Sequence, residues 1–554
     1  MKSVKRIATL SLVGAATTST AMAAEKPNIV LFLVDDMGWL DSAVAYGEEQ
    51  YPSNLRYETP NMVRLAEAGV IMTSAYACPV STPTRTSIMS GMNAAHTRIT
   101  NWTSPLKNVP SDATGGAVNM DKPGGRADLS QEKFSRPEWN LNGLSPVADV
   151  ENTVHATPFP QLLRDAGYFT IHVGKAHWAS AGTPGANPYN MGFVVNVSGQ
   201  MNGAPTSYYS EDHYGNKPGR WNYMSVQNMA EYYNTGTHLT EAVTLEALKA
   251  LEYPVSKRQP FFLYMAHYAT HTPIQRDPRF VQKYLDRGYD EGQARYASMI
   301  EGVDKSLGDL LNYLEERNIA RNTIVIFMTD NGGNAENKSK GGVRHHLNAP
   351  LRSGKGSCYE GGIRVPLICS WPSRVVAGTR VNTPTMPEDL YPTILDMAGV
   401  KWQGRQVQEV DGQSLVALMT KGSKMAEKAA KRGEITNQKE ATHFVVPQSV
   451  SGIDPERYVL FHYPHKWKAY DLADIDYLSS IRKGEWKLVY RMATGELELY
   501  NLNDDIGEQH NLASQHPERV RALASALGER LRRWNAPMPV VNATGQAGAM
   551  PDEL

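Results

Sequence analysis

Two groups of oxygen-bearing side chains stand where apolar runs end. The run at residues 28–34, Asn-Ile-Val-Leu-Phe-Leu-Val, stops at Asp35 and Asp36, and a second run at residues 323–328 leads through Thr329 into Asp330, Asn331, Gly332 and Gly333. Adjacent carboxylates repel one another unless a cation joins them. Three carboxylates and a carboxamide, with no Cys or His among them, form a hard-oxygen donor set that suits Ca2+ or Mg2+ rather than Zn2+. Ca2+ fits better, because its flexible shell accepts carboxylate, amide and further oxygens together. Either group alone also reads as a turn or a helix cap, Asp-Asn-Gly being a strong turn former.

Other segments supply cations and a hydroxyl. In Ser81-Thr82-Pro83-Thr84-Arg85, Pro83 can open a helix whose first amides and positive dipole end face an anion, and Arg85 adds a planar fork of donors. The rival reading is a Ser/Thr cap on an ordinary helix. Gly174-Lys175-Ala176-His177-Trp178 puts an ammonium and an imidazole just past a third apolar run, His267 and His271 follow a fourth, and Lys355 lies in the Gly-rich stretch Ser353-Gly354-Lys355-Gly356. Singly each is weak evidence, since a lone Lys is usually solvated and a lone His usually structural.

The elements that would hold these groups alternate. Continuous apolar runs at residues 28–34, 169–173, 261–266, 323–328 and 365–369 read as strands buried on both faces, with helical patterns between them. Thr59-Pro60 signals a helix over 61–68 that Gly69 stops, with Thr59 as its cap; helices are also expected over 238–251 and 293–317. This alternation gives an α/β fold built on a large, mixed but mostly parallel sheet sandwiched by helices. Two irregular stretches, about 101–157 and 179–237, are too long for ordinary connections and read as functional surface loops. Beyond a polar stretch at 420–450, short strands at 477–482, 486–490 and 496–500 and a helix from 517 to about 534 predict a smaller antiparallel sheet with a helix.

With 554 residues the chain can bury a large core, and its formal charge of -1 argues against a nucleic-acid partner. A basic start, a short apolar run and Ala21-Met22-Ala23 mark residues 1–23 as a cleaved signal peptide, which implies a periplasmic or secreted bacterial protein with no membrane span. Cys78, Cys358 and Cys369 allow at most one disulfide. Cys78 lacks the proline and arginine that follow Ser81, since Val80 and Thr82 stand at the matching positions.

Taken together, Val34-Asp35-Asp36, residues 81–91, Gly174-Lys175-x-His177, Thr270-His271-x-Pro273, residues 329–333 and Gly354-Lys355-Gly356 through Arg364 resemble the sulfatase family, in its formylglycine-dependent, serine-type form. The resemblance implies an alkaline phosphatase-like fold, a catalytic domain over 25–440 and a small C-terminal subdomain over 450–554. It further implies that Ser81 is oxidised to formylglycine by a serine-oxidising maturase, and that Asp35, Asp36, Asp330, Asn331 and the modified Ser81 hold one Ca2+. Arg85 would stabilise the aldehyde hydrate, and Lys175, His177, His271 and Lys355 would surround the sulfate. By the same analogy a hydrate hydroxyl attacks sulfur, His271, with Lys355, protonates the departing alcohol, and His177 helps release sulfate.

Export, long loops and aromatic residues such as Trp178, Tyr208, Tyr209, Tyr214, Trp221 and Tyr223 favour a sulfated glycan as substrate. Arg344, His345 and His346 are candidates for further contacts to it. The alternatives are a small-molecule arylsulfatase, a phosphatase or phosphonate monoester hydrolase of the same superfamily, and a non-catalytic glycan-binding relative.

Overall fold

All seven residues of β1 (Asn28–Val34) are buried, as an apolar run without polar alternation requires when both faces of a strand are covered. The computed structural model describes residues 26–111, 133–219, 223–334, 348–467 and 474–554. The expected signal peptide at 1–23, Trp221, Arg344, His345 and His346 lie outside the described residues. Seven further strands join β1 in one sheet: β2 (Val70–Met72), β3 (Phe169–Gly174), β4 (Val195–Val197), β5 (Phe261–Ala266), β6 (Thr323–Thr329), β7 (Leu367–Ser370) and β8 (Thr379–Val381). Their order is β8-β2-β7-β6-β1-β5-β3-β4. Only β7 runs antiparallel to its neighbours, so the other strands present their C-terminal ends at one edge.

Successive β1 side chains enter opposite layers, as the two-residue period of a strand demands. Val30, Phe32 and Val34 pack with Val243, Met299, Val303 and Leu307, while Ile29, Leu31 and Leu33 pack with Ile88, Met89, Leu390 and Ile394. The helices are α1 (Pro60–Ala68), α2 (Ser81–Ser90), α3 (Leu239–Ser256), α4 (Glu291–Glu316) and α5 (Leu390–Met397). At the start of α4, Asp290 accepts the Gln293 N–H in a capping box.

The start of α1 departs from expectation. Thr59 does not cap it; its Oγ1 accepts the Ala43 N–H at 2.8 Å. The buried Asp304 carboxylate of α4 takes the Asn61 and Met62 N–H groups at 3.1 and 2.7 Å instead, a stronger acceptor than a hydroxyl. Burial pushes the Asp304 carboxyl up to about 6.

A second, antiparallel sheet follows, β9 (Tyr458–Tyr463), β10 (Leu478–Lys483), β11 (Trp486–Arg491) and β12 (Glu496–Asn501) in that order. The sequence pattern predicts the last three; β9, just ahead of Pro464, adds a fourth. One face carries α6 (Pro517–Arg533), whose Leu523, Leu527 and Leu531 cover Ile481, Leu488 and Leu499. The other face, through Val459, Phe461, Val489 and Tyr500, packs on Tyr76, Val80, Cys358, Tyr359 and Ile363, residues flanking two of the chemical segments. Cys78, Cys358 and Cys369 are all free and buried, with no disulfide between them. No helix among the described residues is long and apolar enough to cross a membrane.

Gly174 ends β3 at φ +95°, and a Cβ there would lie 1.8 Å from the Ala266 carbonyl oxygen of β5. Gly174→Ala is therefore expected to lower stability by about 3 kcal/mol or more, through backbone strain and steric conflict. Urea unfolding checks this, and an unchanged midpoint would contradict it.

Candidate active site

Strand register brings the chemical segments together. Val34 of β1 pairs with Thr329 of β6, so Asp35-Asp36 and Asp330-Asn331 leave the sheet side by side. On the other flank Gly174 of β3 pairs with Ala266 of β5, and the Lys175 N–H donates to the Ala266 carbonyl at 2.8 Å. Helix α2 delivers Ser81 and Arg85 to the same place. All ten of its residues are buried, which a helix this polar tolerates because Thr86 and Ser90 return their hydroxyls to the carbonyls of Thr82 and Thr86 at 2.9 and 2.7 Å.

Around Ser81 the contacts are close and mutual. Its Oγ donates toward Asp35 Oδ1 at 3.2 Å and Asn331 Oδ1 at 3.1 Å, and accepts from Lys175 Nζ at 3.3 Å. Lys175 Nζ also donates to Asp35 Oδ2 at 2.7 Å. Arg85 donates through Nε to Asp330 Oδ2 at 2.9 Å and through Nη1 to the Lys175 carbonyl at 2.9 Å. Lys355 Nζ donates to Asp36 Oδ1 at 2.5 Å, Asn331 Nδ2 to the same oxygen at 2.9 Å, and His271 Nε2 stands 3.7 Å from Asp36 Oδ2. The Asp35, Asp36 and Asp330 carboxylates each offer an oxygen within 4.8 Å of the others.

Burial sets the electrostatics. Loss of water and the Asp330 carboxylate hold the Asp35 carboxyl well above its usual range, against the pull of Lys175. For Asp36 burial acts in the same sense, but Lys355, then His271 and Lys175, outweigh it and hold the carboxyl far below that range. Arg85 and Lys175 likewise overcome burial at Asp330 and lower it. Burial and the Lys355 ammonium bring His271 down to about 3, and burial and Lys175 push His177 well below its ordinary value.

The donor chemistry fits a hard divalent cation: three carboxylates, the Asn331 carboxamide and the Ser81 oxygen converge, with no soft ligand among them. Three cations, Arg85, Lys175 and Lys355, offset those carboxylates directly.

Ser81, Arg85, Lys175, His271, Lys355, Asp35, Asp36, Asp330 and Asn331 thus share one cluster. His177 lies beside it, turned so that Nε2 bonds the Thr103 carbonyl at 3.0 Å and Thr82 Oγ1 at 3.3 Å. The expectation for Trp178 is corrected. Its ring is fully buried, stacked on Phe193 at 5.8 Å and set edge-on to His172 and Tyr264, because the chain after Lys175 turns back into the core before reaching the surface loops. Tyr208 and Tyr214 are buried as well, while Tyr209 and Tyr223 retain exposed surface.

Two positioning roles escaped the sequence reading, one of them held by Tyr208, which was expected among the aromatic residues of a glycan pocket. Tyr208 donates its hydroxyl to the Tyr268 and His271 carbonyls at 2.7 and 2.9 Å, holding the turn that carries His271. Thr103 orients His177 from the long loop after α2. Nothing in spacing or composition announces such contacts, which span 60 to 74 residues of sequence.

Ser81 at a helix start, set against clustered carboxylates at the C-terminal edge of a mostly parallel sheet flanked by helices, belongs to an alkaline phosphatase-like α/β architecture. The sulfatase family profile matches residues 27–400, and the chain belongs to that family, whose members are sulfuric ester hydrolases. A second profile, N-sulphoglucosamine sulphohydrolase C-terminal, matches residues 354–478. The chain is 28% identical to a sulfatase of Formosa agariphila, over 93% of this chain and 90% of the relative. It is 30% identical to N-acetylgalactosamine-6-sulfatase of Mus musculus, over 73% of this chain and 68% of the relative. Among solved structures, Ps i-CgsB in complex with k-i-k-neocarrahexaose aligns with a TM-score of 0.63 at 25% identity, covering 91% of this chain and 93% of that one.

Removing one member of a buried ion pair strands its partner. Arg85→Ala, which leaves the fully buried Asp330 without its main counter-charge, is expected to cost about 3–5 kcal/mol, read as a lower urea midpoint.

Proposed function

We propose that this sulfatase removes sulfate from a carbohydrate, using Ser81 oxidised to formylglycine and one Ca2+ held by Asp35, Asp36, Asp330, Asn331 and residue 81. The observation that carries this reading is the position of Ser81 Oγ, 3.2 Å from Asp35, 3.1 Å from Asn331 and 3.3 Å from the Lys175 ammonium. A hydroxyl so placed is a weak nucleophile; oxidation would supply an aldehyde hydrate, and a bound Ca2+ would add Lewis-acid stabilisation of negative charge.

The chain's own residues take the remaining roles. Arg85 and Lys175 hold positive charge against the nucleophile and the sulfate oxygens, and Lys355 adds a further cation on the Asp36 side. His271, whose side chain keeps 21% exposure, is more solvent-accessible than Arg85, Lys175 and Lys355, and we assign it, with Lys355, to give a proton to the departing alcohol oxygen. Burial and Lys355 hold it neutral before substrate arrives; an anionic sulfate alongside favours the protonated form, so the acid is charged when it is needed. His177 assists release of sulfate.

The carbohydrate assignment is supported by a relative named N-acetylgalactosamine-6-sulfatase and by a solved structure of Ps i-CgsB in complex with k-i-k-neocarrahexaose. The basic and apolar start of the sequence supports export to the periplasm or beyond, after cleavage near residue 23. This reading calls for a serine-oxidising maturase as a protein partner.

Peptide mass spectrometry of protein from a host with such a maturase should show residue 81 lacking two hydrogens. Ser81→Ala should release no sulfate from any sulfated oligosaccharide or aryl sulfate while keeping the wild-type melting temperature. A variant as active as wild type removes Ser81 from the mechanism. After chelation, added Ca2+ should raise the melting temperature of wild type, and Asp35→Asn should blunt that rise; equal responses would sink the metal assignment.

A further inference from the structure

The Lys355 loop is gripped less by the large sheet than by the small one. Two residues before Lys355, the Ser353 hydroxyl donates to the Asp474 carbonyl at 3.3 Å, and two residues after it the Ser357 hydroxyl donates to the same carbonyl. Arg352 forms a fork onto the Asp474 carboxylate, Nε to Oδ2 and Nη2 to Oδ1, both at 3.0 Å. Arg491 of β11 holds that carboxylate from the far side at 2.7 Å. Arg352 Nη1 further donates to Tyr500 of β12 at 2.9 Å and to the Glu508 carbonyl at 3.1 Å.

The loop's other contacts act in the same direction. Gly356, at φ +88°, lies so near the C-terminal segment that a Cβ would sit 2.6 Å from the Trp467 ring and 3.0 Å from Ile475. At the loop's end, Glu508 accepts the Glu360 N–H at 2.7 Å while Lys487 bridges the Glu508 and Glu360 carboxylates at 2.7 and 2.9 Å. Against these stand two backbone bonds to the catalytic side, Lys355 N–H to the Gly333 carbonyl at 3.1 Å and Gly356 N–H to the Pro79 carbonyl at 2.7 Å, and the Asn348 side chain, which donates to the Ser353 carbonyl at 2.9 Å.

We infer that Asp474 is a positioning residue, the peg by which the C-terminal subdomain sets Lys355 onto Asp36. It rests on the role given to Lys355 above. A long, flexible ammonium reaches a fixed point only if its backbone is fixed, and a misplacement of about 1 Å can cost roughly 10²-fold in rate. Asp474 meets that need twice, through its carboxylate on Arg352 and through its carbonyl on the two serines that bracket Lys355. The small sheet then belongs to the catalytic apparatus.

Purified full-length protein with oxidised residue 81, assayed on a sulfate ester, tests this by a double-mutant cycle. Asp474→Ala should lower kcat by about 10- to 100-fold with little change in KM, and Asp474→Glu should recover part of the loss. Lys355→Ala lowers kcat by itself, and adding Asp474→Ala to it should cost nothing more. If the two losses instead multiply, Asp474 acts only as general scaffold and the inference fails. Should Asp474→Ala fold poorly, Arg352→Lys, which keeps charge but loses the fork, must show the same dependence on Lys355. Amide hydrogen exchange gives a reading independent of turnover: Asp474→Ala should speed exchange in residues 352–360, and unchanged exchange there overturns the peg. Wild-type protein with oxidised residue 81 that releases no sulfate would count against the proposed function, whereas the exchange result bears on Asp474 alone.

Discussion

Three carboxylates packed into one dry spot are the constraint to which the remaining structure answers. Asp35, Asp36 and Asp330 are each at most 3% exposed, and the desolvation of even one such group costs several kcal/mol when it is unpaired. The fold meets this by drawing Arg85, Lys175 and Lys355 from three other segments into direct contact with them. That demand explains features that look unrelated: the polar but buried α2, the glycine at the end of β3 where backbones nearly touch, and a second sheet that clasps the Lys355 loop. Each is a way of bringing a cation to a fixed place without water.

Much of this was legible in the sequence for a simple reason. In a mostly parallel sheet the strands are apolar throughout, so they stand out as continuous runs, and the residues just beyond them fall at one edge. Asp35-Asp36, Lys175, His271 and Asp330-Asn331 are all read this way. Ser81 and Arg85 stood out through the resemblance of their segment to the sulfatase signature, with Pro83 adding a local helix signal, and the register of β1 with β6 brings the acidic pairs together.

What stayed hidden depends on contacts that local pattern does not encode. Trp178 follows Lys175 by three residues and reads as a rim aromatic, yet it closes a core stack with Phe193, because the direction of the chain after a strand is set by tertiary packing. Thr59 has every local mark of a cap and loses to a carboxylate 245 residues away in sequence, as Asp304 satisfies the α1 amides. Asp474 gives no sign at all, since a single Asp among short strands is ordinary until Arg352 and two serines are seen to converge on it. Long-range satisfaction of polar groups is therefore the layer that a single sequence conceals.

Charge counting connects the site to its substrate. When Asp35 is ionised, Arg85, Lys175 and Lys355 balance Asp35, Asp36 and Asp330, so the cluster then has no electrostatic call for a further anion by itself. A divalent cation on the carboxylates would leave a surplus of two positive charges in a low-dielectric pocket, a state that is costly unless something negative enters. A sulfate ester together with an ionising nucleophile supplies that charge, and more of it accumulates as the sulfur–oxygen bond breaks. The pocket would then be better matched to the transition state than to the resting protein, and His271, in the role proposed for it, would add its proton on the side where the alcohol leaves.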